Sequence, residues 1–208
     1  MAYSVLIVED QPIASAGVRF TLETNPEFVL LADANSCNKA RALLESENPE
    51  LVILDVFLPD GSGLDILAEI KRESSDHPKV LLYSGQANPQ EFATAMRLGA
   101  EGLLSKSDPP EELIIALEQI AKGSKYVSVS VKRMLALSNE AQLTEREQQV
   151  LQLLFQGFDN NRIAEKLNIS SATIKKHREN ILHKLDAPNI VAAIRTGMRL
   201  GILDVNAR

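Results

Sequence analysis

The sequence predicts a doubly wound α/β domain on five parallel strands, followed by an all-α domain of four helices. Three observations carry this reading. Over residues 1–122, five short apolar runs, each ending in a polar or charged residue, alternate with helix-patterned segments. The last third is helical throughout and contains two helices joined by a tight turn, a helix-turn-helix. The charge also changes sign: residues 1–125 carry 20 acidic and 10 basic side chains, residues 126–208 carry 8 and 12. An acidic front and a basic back point to two domains with different partners, the second a nucleic acid.

The elements follow in order. Val5–Val8 is a buried-strand run that ends at Glu9 and Asp10. Pro12 suits the first turn of a helix reaching about Thr24, with Val18 and Leu22 on its inner face. Phe28–Ala34 is the second strand. Ser36 caps a helix whose Ala40, Leu43 and Leu44 face inward. Leu51–Leu54 is four apolar residues running into Asp55, and Pro59, Gly61 and Gly63 then turn the chain. A helix from about Gly63 buries Leu64, Leu67 and Ile70. Val80–Tyr83 ends at Ser84, a helix spans Pro89–Leu98, and Gly102–Ser105 ends at Lys106. Pro109 or Pro110 opens the last helix, with Leu113, Ile114, Leu117 and Ile120 inward. The expected divisions are 1–123, a linker over 124–141, and 142–208.

Composition excludes several classes. A hydrophobic fraction of 45% and a charged fraction of 24% are ordinary for globular protein. No run approaches the roughly 20 apolar residues that span a bilayer, and no signal sequence opens the chain, so a cytoplasmic protein without membrane contact is expected. Cys37 is the single cysteine and forms no disulfide framework or thiolate cluster.

Right-handed crossovers gather all five strand ends at one sheet edge, where ligands of open α/β folds bind. Glu9, Asp10, Asp55, Ser84 and Lys106 each stand at or just after a strand end, so topology alone collects them. Clustered carboxylates with room for water suit Mg²⁺. With Mg²⁺ and Lys106 neutralising charge, Asp55 can attack an electrophilic phosphorus and form an acyl phosphate. Ser84 and Lys106 would then contact the phosphoryl oxygens.

In the back half, Thr144 and Glu147 form a capping box. Val150, Leu151, Leu153, Leu154 and Phe155 make a buried helix ended by Gly157. Asn160 caps a shorter helix with Ile163, Ala164 and Leu167 inward, and Ser170 or Ser171 caps a third, about Ala172–Leu185. A fourth runs from Ile190 to Leu200. On the third helix, Ile174, Ile181 and Leu185 share the buried face. Thr173, Lys175, Lys176, Glu179, Asn180 and His183 crowd the outer one. Lys175 and Lys176 are candidates for phosphate or guanine contact and Asn180 for a base edge or phosphate. Glu179 argues the other way, because it repels phosphate.

Residues 1–122 resemble the receiver domain of bacterial two-component response regulators. The Glu9/Asp10 pair, Asp55 with Pro59 and Gly61 behind it, Ser84 followed by Gly85, and Lys106 carry the resemblance. It implies a flavodoxin-like fold and Asp55 as acceptor of phosphate from a histidine kinase. It also implies Mg²⁺ held by Asp10, Asp55 and the main-chain carbonyl of Phe57, with Glu9 acting through water. The chain departs from the pattern at Leu103, often an aromatic switch residue, at Ser107, usually proline, and at Gln11. From Leu143-Thr144 through Thr173-Ile174-Lys175 to Lys184-Leu185 the sequence resembles the LuxR-type helix-turn-helix. A receiver joined to it resembles the NarL/FixJ class. That implies a sequence-specific transcriptional regulator, dimeric on DNA, with Ile190, Val191 and Ile194 of the last helix as a contact surface. The alternative is a phosphorylation-independent regulator whose receiver signals by protein contact. A phosphatase or phosphotransferase needs a second acid two residues beyond Asp55, and that residue is Phe57, so no enzyme is expected beyond self-phosphorylation and autodephosphorylation.

Overall fold

The computed structural model describes residues 2–73, 77–140 and 143–203. Two units part at residues 133/134; the expected boundary at 141/142 lies outside the described residues.

In the first unit, strands β1 (Tyr3–Val8), β2 (Phe28–Ala34), β3 (Leu51–Leu54), β6 (Lys79–Ser84), β7 (Gly102–Ser105) and β8 (Tyr126–Val127) form a parallel sheet in the order β2-β1-β3-β6-β7-β8. The first five are the expected strands. Their apolar runs are continuous because helices cover both faces. On one face, Val5, Ile7, Ile53, Leu81 and Leu104 pack with Val18 and Leu22 of helix α1 (Pro12–Glu23) and Leu113, Leu117 and Ile120 of α5 (Glu111–Ala121). The alternate strand residues Leu6, Val8, Val52, Leu54, Val80 and Leu82 are equally buried, as period-two geometry requires. With them are buried Ala40 of α2 (Cys37–Glu47), Ile66 and Leu67 of α3 (Gly63–Glu73), and Phe92 and Ala95 of α4 (Pro89–Leu98).

Two findings correct the expected architecture. The sheet has six strands, not five, because the linker supplies the last one. The outer edge of β7 carries unpaired main-chain groups. Tyr126 N–H donates to Glu101 O at 2.9 Å and Ser128 N–H to Leu103 O at 3.0 Å, and the Tyr126 hydroxyl donates to the Glu112 carboxylate. Ser128, buried, then caps α6 (Val129–Glu140), whose Val131 is fully buried. The start of the linker is therefore built into the first unit. Secondly, the turn after Asp55 contains a small antiparallel hairpin, β4 (Phe57–Leu58) with β5 (Gly61–Ser62).

The second unit holds α7 (Glu145–Phe155), α8 (Asn160–Leu167), α9 (Ser171–Lys184) and α10 (Ile190–Arg199). They close on Val150, Leu151, Ile163, Ile174, Ile181, Leu185 and Ala193. Thr144 and Glu147 make both hydrogen bonds of the capping box. Asp159, rather than Asn160, caps α8, accepting from Asn161 N–H and Arg162 N–H. Ser170 caps α9 through Thr173 N–H at 3.1 Å.

Candidate functional site

Main-chain hydrogen bonds draw the strand ends of the first unit together. Asp55 N–H donates to Val8 O at 3.0 Å, and Lys106 N–H to Ser84 O at 3.0 Å. The register Val8↔Leu54↔Leu82 sets Glu9 beside Asp55, while Ser84↔Ser105 sets Ser84 beside the base of Lys106. Asp55 is 3% exposed and Glu9 5%, whereas Asp10 faces solvent.

The Lys106 ammonium lies 2.6 Å from Asp55 Oδ2 and 2.5 Å from Glu9 Oε2. Asp55 Oδ1 accepts from Val56 N–H at 2.6 Å, with Phe57 N–H farther off at 3.5 Å. Glu9 Oε1 accepts from Gln11 N–H at 3.0 Å. Burial holds the Glu9 carboxyl above its ordinary range, against the lowering by Lys106 and the Gln11 amide. Burial also works against the Lys106 charge, but the two carboxylates outweigh it and the amine is held above its ordinary value. Lys106 is thus an ammonium at neutral pH.

One oxygen each of Glu9, Asp10 and Asp55 lie within 4.8 Å of one another. Three carboxylates, one open to water, are the hard oxygen donors that Mg²⁺ takes. Phe57 opens β4 opposite Ser62, its side chain 42% exposed. The Ser84 hydroxyl is buried and has no hydrogen-bond partner, a costly state for a polar group that an incoming oxyanion would relieve. Position 63 has no room for a side chain: a Cβ there would stand 1.9 Å from Asp55 O. Nothing in the sequence pattern marked Gly63 out from the other turn glycines.

At the outer face of α9, Thr173, Lys175, Lys176, Glu179, Asn180 and His183 are all exposed, while Ile174 and Ile181 are fully buried. Thr173 shares its hydroxyl with Ser170 at 2.8 Å. Arg178 is turned inward and donates to Asn160 Oδ1 at 2.7 Å, tying α9 to α8. Lys184 Nζ reaches the buried Glu147 at 2.7 Å, tying α9 to α7. Of the expected contact residues on α10, Val191 is 63% exposed, but Ile190 and Ile194 are partly spent on the core. Met198, 43% exposed, is an apolar residue of that helix that the sequence reading did not select.

An acid-lined notch at the carboxyl edge of a doubly wound sheet, in one chain with a helix-turn-helix, defines a two-domain signalling protein. Comparison with known proteins agrees. Residues 5–118 match the response regulator receiver domain, and residues 141–196 match the bacterial regulatory proteins of the luxR family. The nitrate/nitrite response regulator protein NarL of Escherichia coli K12 is 32% identical over 91% of this chain and 92% of its own length. NarP of the same strain is 36% identical over 92% of each. RcsB from Salmonella enterica serovar Typhimurium, solved bound to promoter rprA with the phosphomimetic BeF3-, is 28% identical. It superimposes with a TM-score of 0.73 over 93% of this chain and 97% of that one. The chain belongs to the response regulators of the NarL/FixJ class, a receiver joined to a LuxR-type DNA-binding domain. It is therefore a regulator and not an enzyme of the usual kind. No helix among the described residues is long and apolar enough to cross a membrane.

Proposed function

We propose that the protein is a sequence-specific transcriptional regulator switched by phosphorylation of Asp55. The observation that carries this is the Lys106 ammonium held between Asp55 and Glu9 beside the unpartnered Ser84 hydroxyl. A sensor histidine kinase is the donor. An Asp55 oxygen bonds the phosphorus, the phosphorus–nitrogen bond to the kinase imidazole breaks, and the imidazole leaves. Glu9, Asp10, Asp55 and the Phe57 carbonyl would hold Mg²⁺, which supplies positive charge to the transferring phosphoryl group. Lys106 and Ser84 then bind phosphoryl oxygens, so that the ammonium trades part of its hold on the carboxylates and the Ser84 hydroxyl gains the partner it lacks. Autodephosphorylation by water reverses the state.

The output is DNA binding. Thr173, Lys175, Lys176, Glu179, Asn180 and His183 present the face that enters a major groove. A homodimer, with Val191 and the exposed edges of Ile190 and Ile194 in contact, would read two half-sites about one helical turn apart. In a solved relative two RcsB dimers are bound to two parallel DNAs, which supports DNA binding as a dimer. The divisions are a receiver at 1–123, a linker over 124–141 whose first residues join the receiver's sheet, and a DNA-binding domain at 142–208, and the site of action is the cytoplasm, where the chromosome lies.

The test is incubation with Mg²⁺ and acetyl phosphate, followed by intact-mass measurement and operator capture. A phosphoryl adduct absent from Asp55→Ala, with tighter DNA binding in the wild type alone, is the expected result. A second reading, a regulator indifferent to phosphorylation, is favoured by Leu103, which is buried and cannot act as an aromatic switch. It predicts identical transcription from wild type and Asp55→Ala.

A further inference from the structure

Lys106 has a long, flexible stem, yet its ammonium sits between carboxylates from two different strands. Such a contact needs a fixed base, because functional groups work within about 0.5 Å of their productive position. The stem passes over Gly85, where a Cβ would stand 3.4 Å from Lys106 Cδ and 3.5 Å from Cβ. The missing side chain at Gly85 leaves the stem room to pass but does not anchor the main chain.

The anchoring comes from the segment Ser105-Lys106-Ser107-Asp108, which closes on itself. Asp108 N–H donates to Ser105 O at 3.0 Å, making a turn with Lys106 at its second position. In return, Ser105 N–H donates to Asp108 Oδ2 at 2.9 Å. Ser107 N–H donates to Ser105 Oγ at 3.2 Å, and the two serine hydroxyls pair at 2.8 Å. Lys106 N–H is held separately, by Ser84 O. The Asp108 bond has a definite origin. The Ser105 N–H points to the β8 side of β7, but β8 pairs only with Gly102 and Leu103. Ser105 thus lies beyond the end of that ladder, and the Asp108 carboxylate provides the acceptor the sheet does not. Every peptide bond among the described residues is trans, the Lys106–Ser107 bond included. Where receivers usually carry a proline ring, this chain closes the turn with two hydroxyls and a carboxylate.

We propose that Asp108 and Ser107 are positioning residues for Lys106: they fix the turn from which its ammonium reaches the phosphoacceptor. This rests on the reading of Asp55 and Lys106 given under Proposed function. A 1 Å misplacement of a reacting group costs on the order of 100-fold in rate. Loss of the Asp108 acceptor moves the lysine base by a fraction of that distance, so a loss of about tenfold is expected.

The experiment measures the phosphorylation rate of the full chain with acetyl phosphate and Mg²⁺, alongside the melting temperature. The variants are Asp108→Ala, Asp108→Asn, Ser107→Ala and Lys106→Ala. Asp108→Ala is expected to slow phosphorylation about tenfold and Ser107→Ala about threefold. Asp108→Asn keeps a side-chain oxygen acceptor and should return the rate to within about twofold of wild type. Rates equal to wild type in Asp108→Ala and Ser107→Ala overturn the positioning role and leave the phosphoacceptor reading standing. So does a slowing that tracks melting temperature and is not restored by Asp108→Asn. A wild type that takes up no phosphoryl group overturns the underlying reading, and this role with it.

Discussion

Substituting Gly63 by alanine sets two effects of opposite sign against each other. Gly63 is the first residue of α3, and alanine in place of glycine in a helix is worth up to about 1 kcal/mol of stability. Against this, the new Cβ would lie 1.9 Å from Asp55 O and 2.9 Å from Asp55 C, where contacts under 3.0 Å are essentially never seen. The offending atoms are main chain, so no rotamer relieves them. The two segments must separate by about 1.1 Å, the difference between 1.9 Å and the 3.0 Å limit. Overpacking of this kind costs about 1–3 kcal/mol, and the first turn of a helix gains less from propensity than its middle. The clash prevails, with a net loss of about 1–2 kcal/mol. The functional effect is larger. Asp55 is the displaced residue, and a shift of about 1 Å in a reacting group corresponds to roughly 100-fold in rate. Thermal unfolding and acetyl phosphate uptake, measured on the same preparation, check both numbers. A Gly63→Ala protein that melts at or above the wild-type temperature and phosphorylates at the wild-type rate would refute the reasoning.

Three further outcomes follow from the same geometry. Ser84→Ala removes a buried hydroxyl that has no partner, so the unmodified protein should keep its stability to within about 1 kcal/mol, while the phosphorylation-dependent gain in operator binding disappears. A drop of 3 kcal/mol in chemical denaturation would show that the hydroxyl is already satisfied. Lys175→Ala with Lys176→Ala should weaken operator and random DNA alike and lower the slope of log affinity against log salt by about 2; an unchanged slope removes both lysines from the phosphate contacts. Glu147 is buried, which alone would raise its carboxyl, but Lys184 and the Thr144 amide outweigh burial and hold it below the ordinary 4.5. Its folded value is depressed, so its contribution is full above pH 4.5 and is lost as pH falls through the lower folded value. Glu147→Gln should cost about 1–2 kcal/mol at pH 7 and flatten the acid limb of the stability profile. A variant with the wild-type pH profile would exclude the pair as its source.

The sequence made the carboxylate–lysine notch legible because strand ends are a topological quantity. Four buried-strand runs, each meeting Glu9, Asp55, Ser84 or Lys106 at its end, sufficed to bring those residues to one edge, since parallel crossovers leave no other arrangement. The outer face of α9 was legible for a similar reason: a 3.6-residue period with Ile174 and Ile181 buried leaves Lys175, Lys176 and Asn180 outside. Both are one-dimensional patterns with a fixed geometric translation.

What only the tertiary structure decided concerns single atoms and edges. The alternation of Val and Ser over Tyr126–Ser130 fits a short strand or an extended linker equally well, and nothing in the sequence chooses between them. Tyr126–Val127 becomes β8 because the β7 edge offers unpaired groups and Ser128 and Val131 find burial there. Arg178 is held by Asn160, a contact between residues 18 apart that no local pattern announces. The turn that fixes Lys106 depends on which way a serine hydroxyl and an aspartate point beyond the end of a two-residue strand. Periodicity carries the placement of elements, but the pairing of a particular donor with a particular acceptor is settled only when the chain is closed in three dimensions.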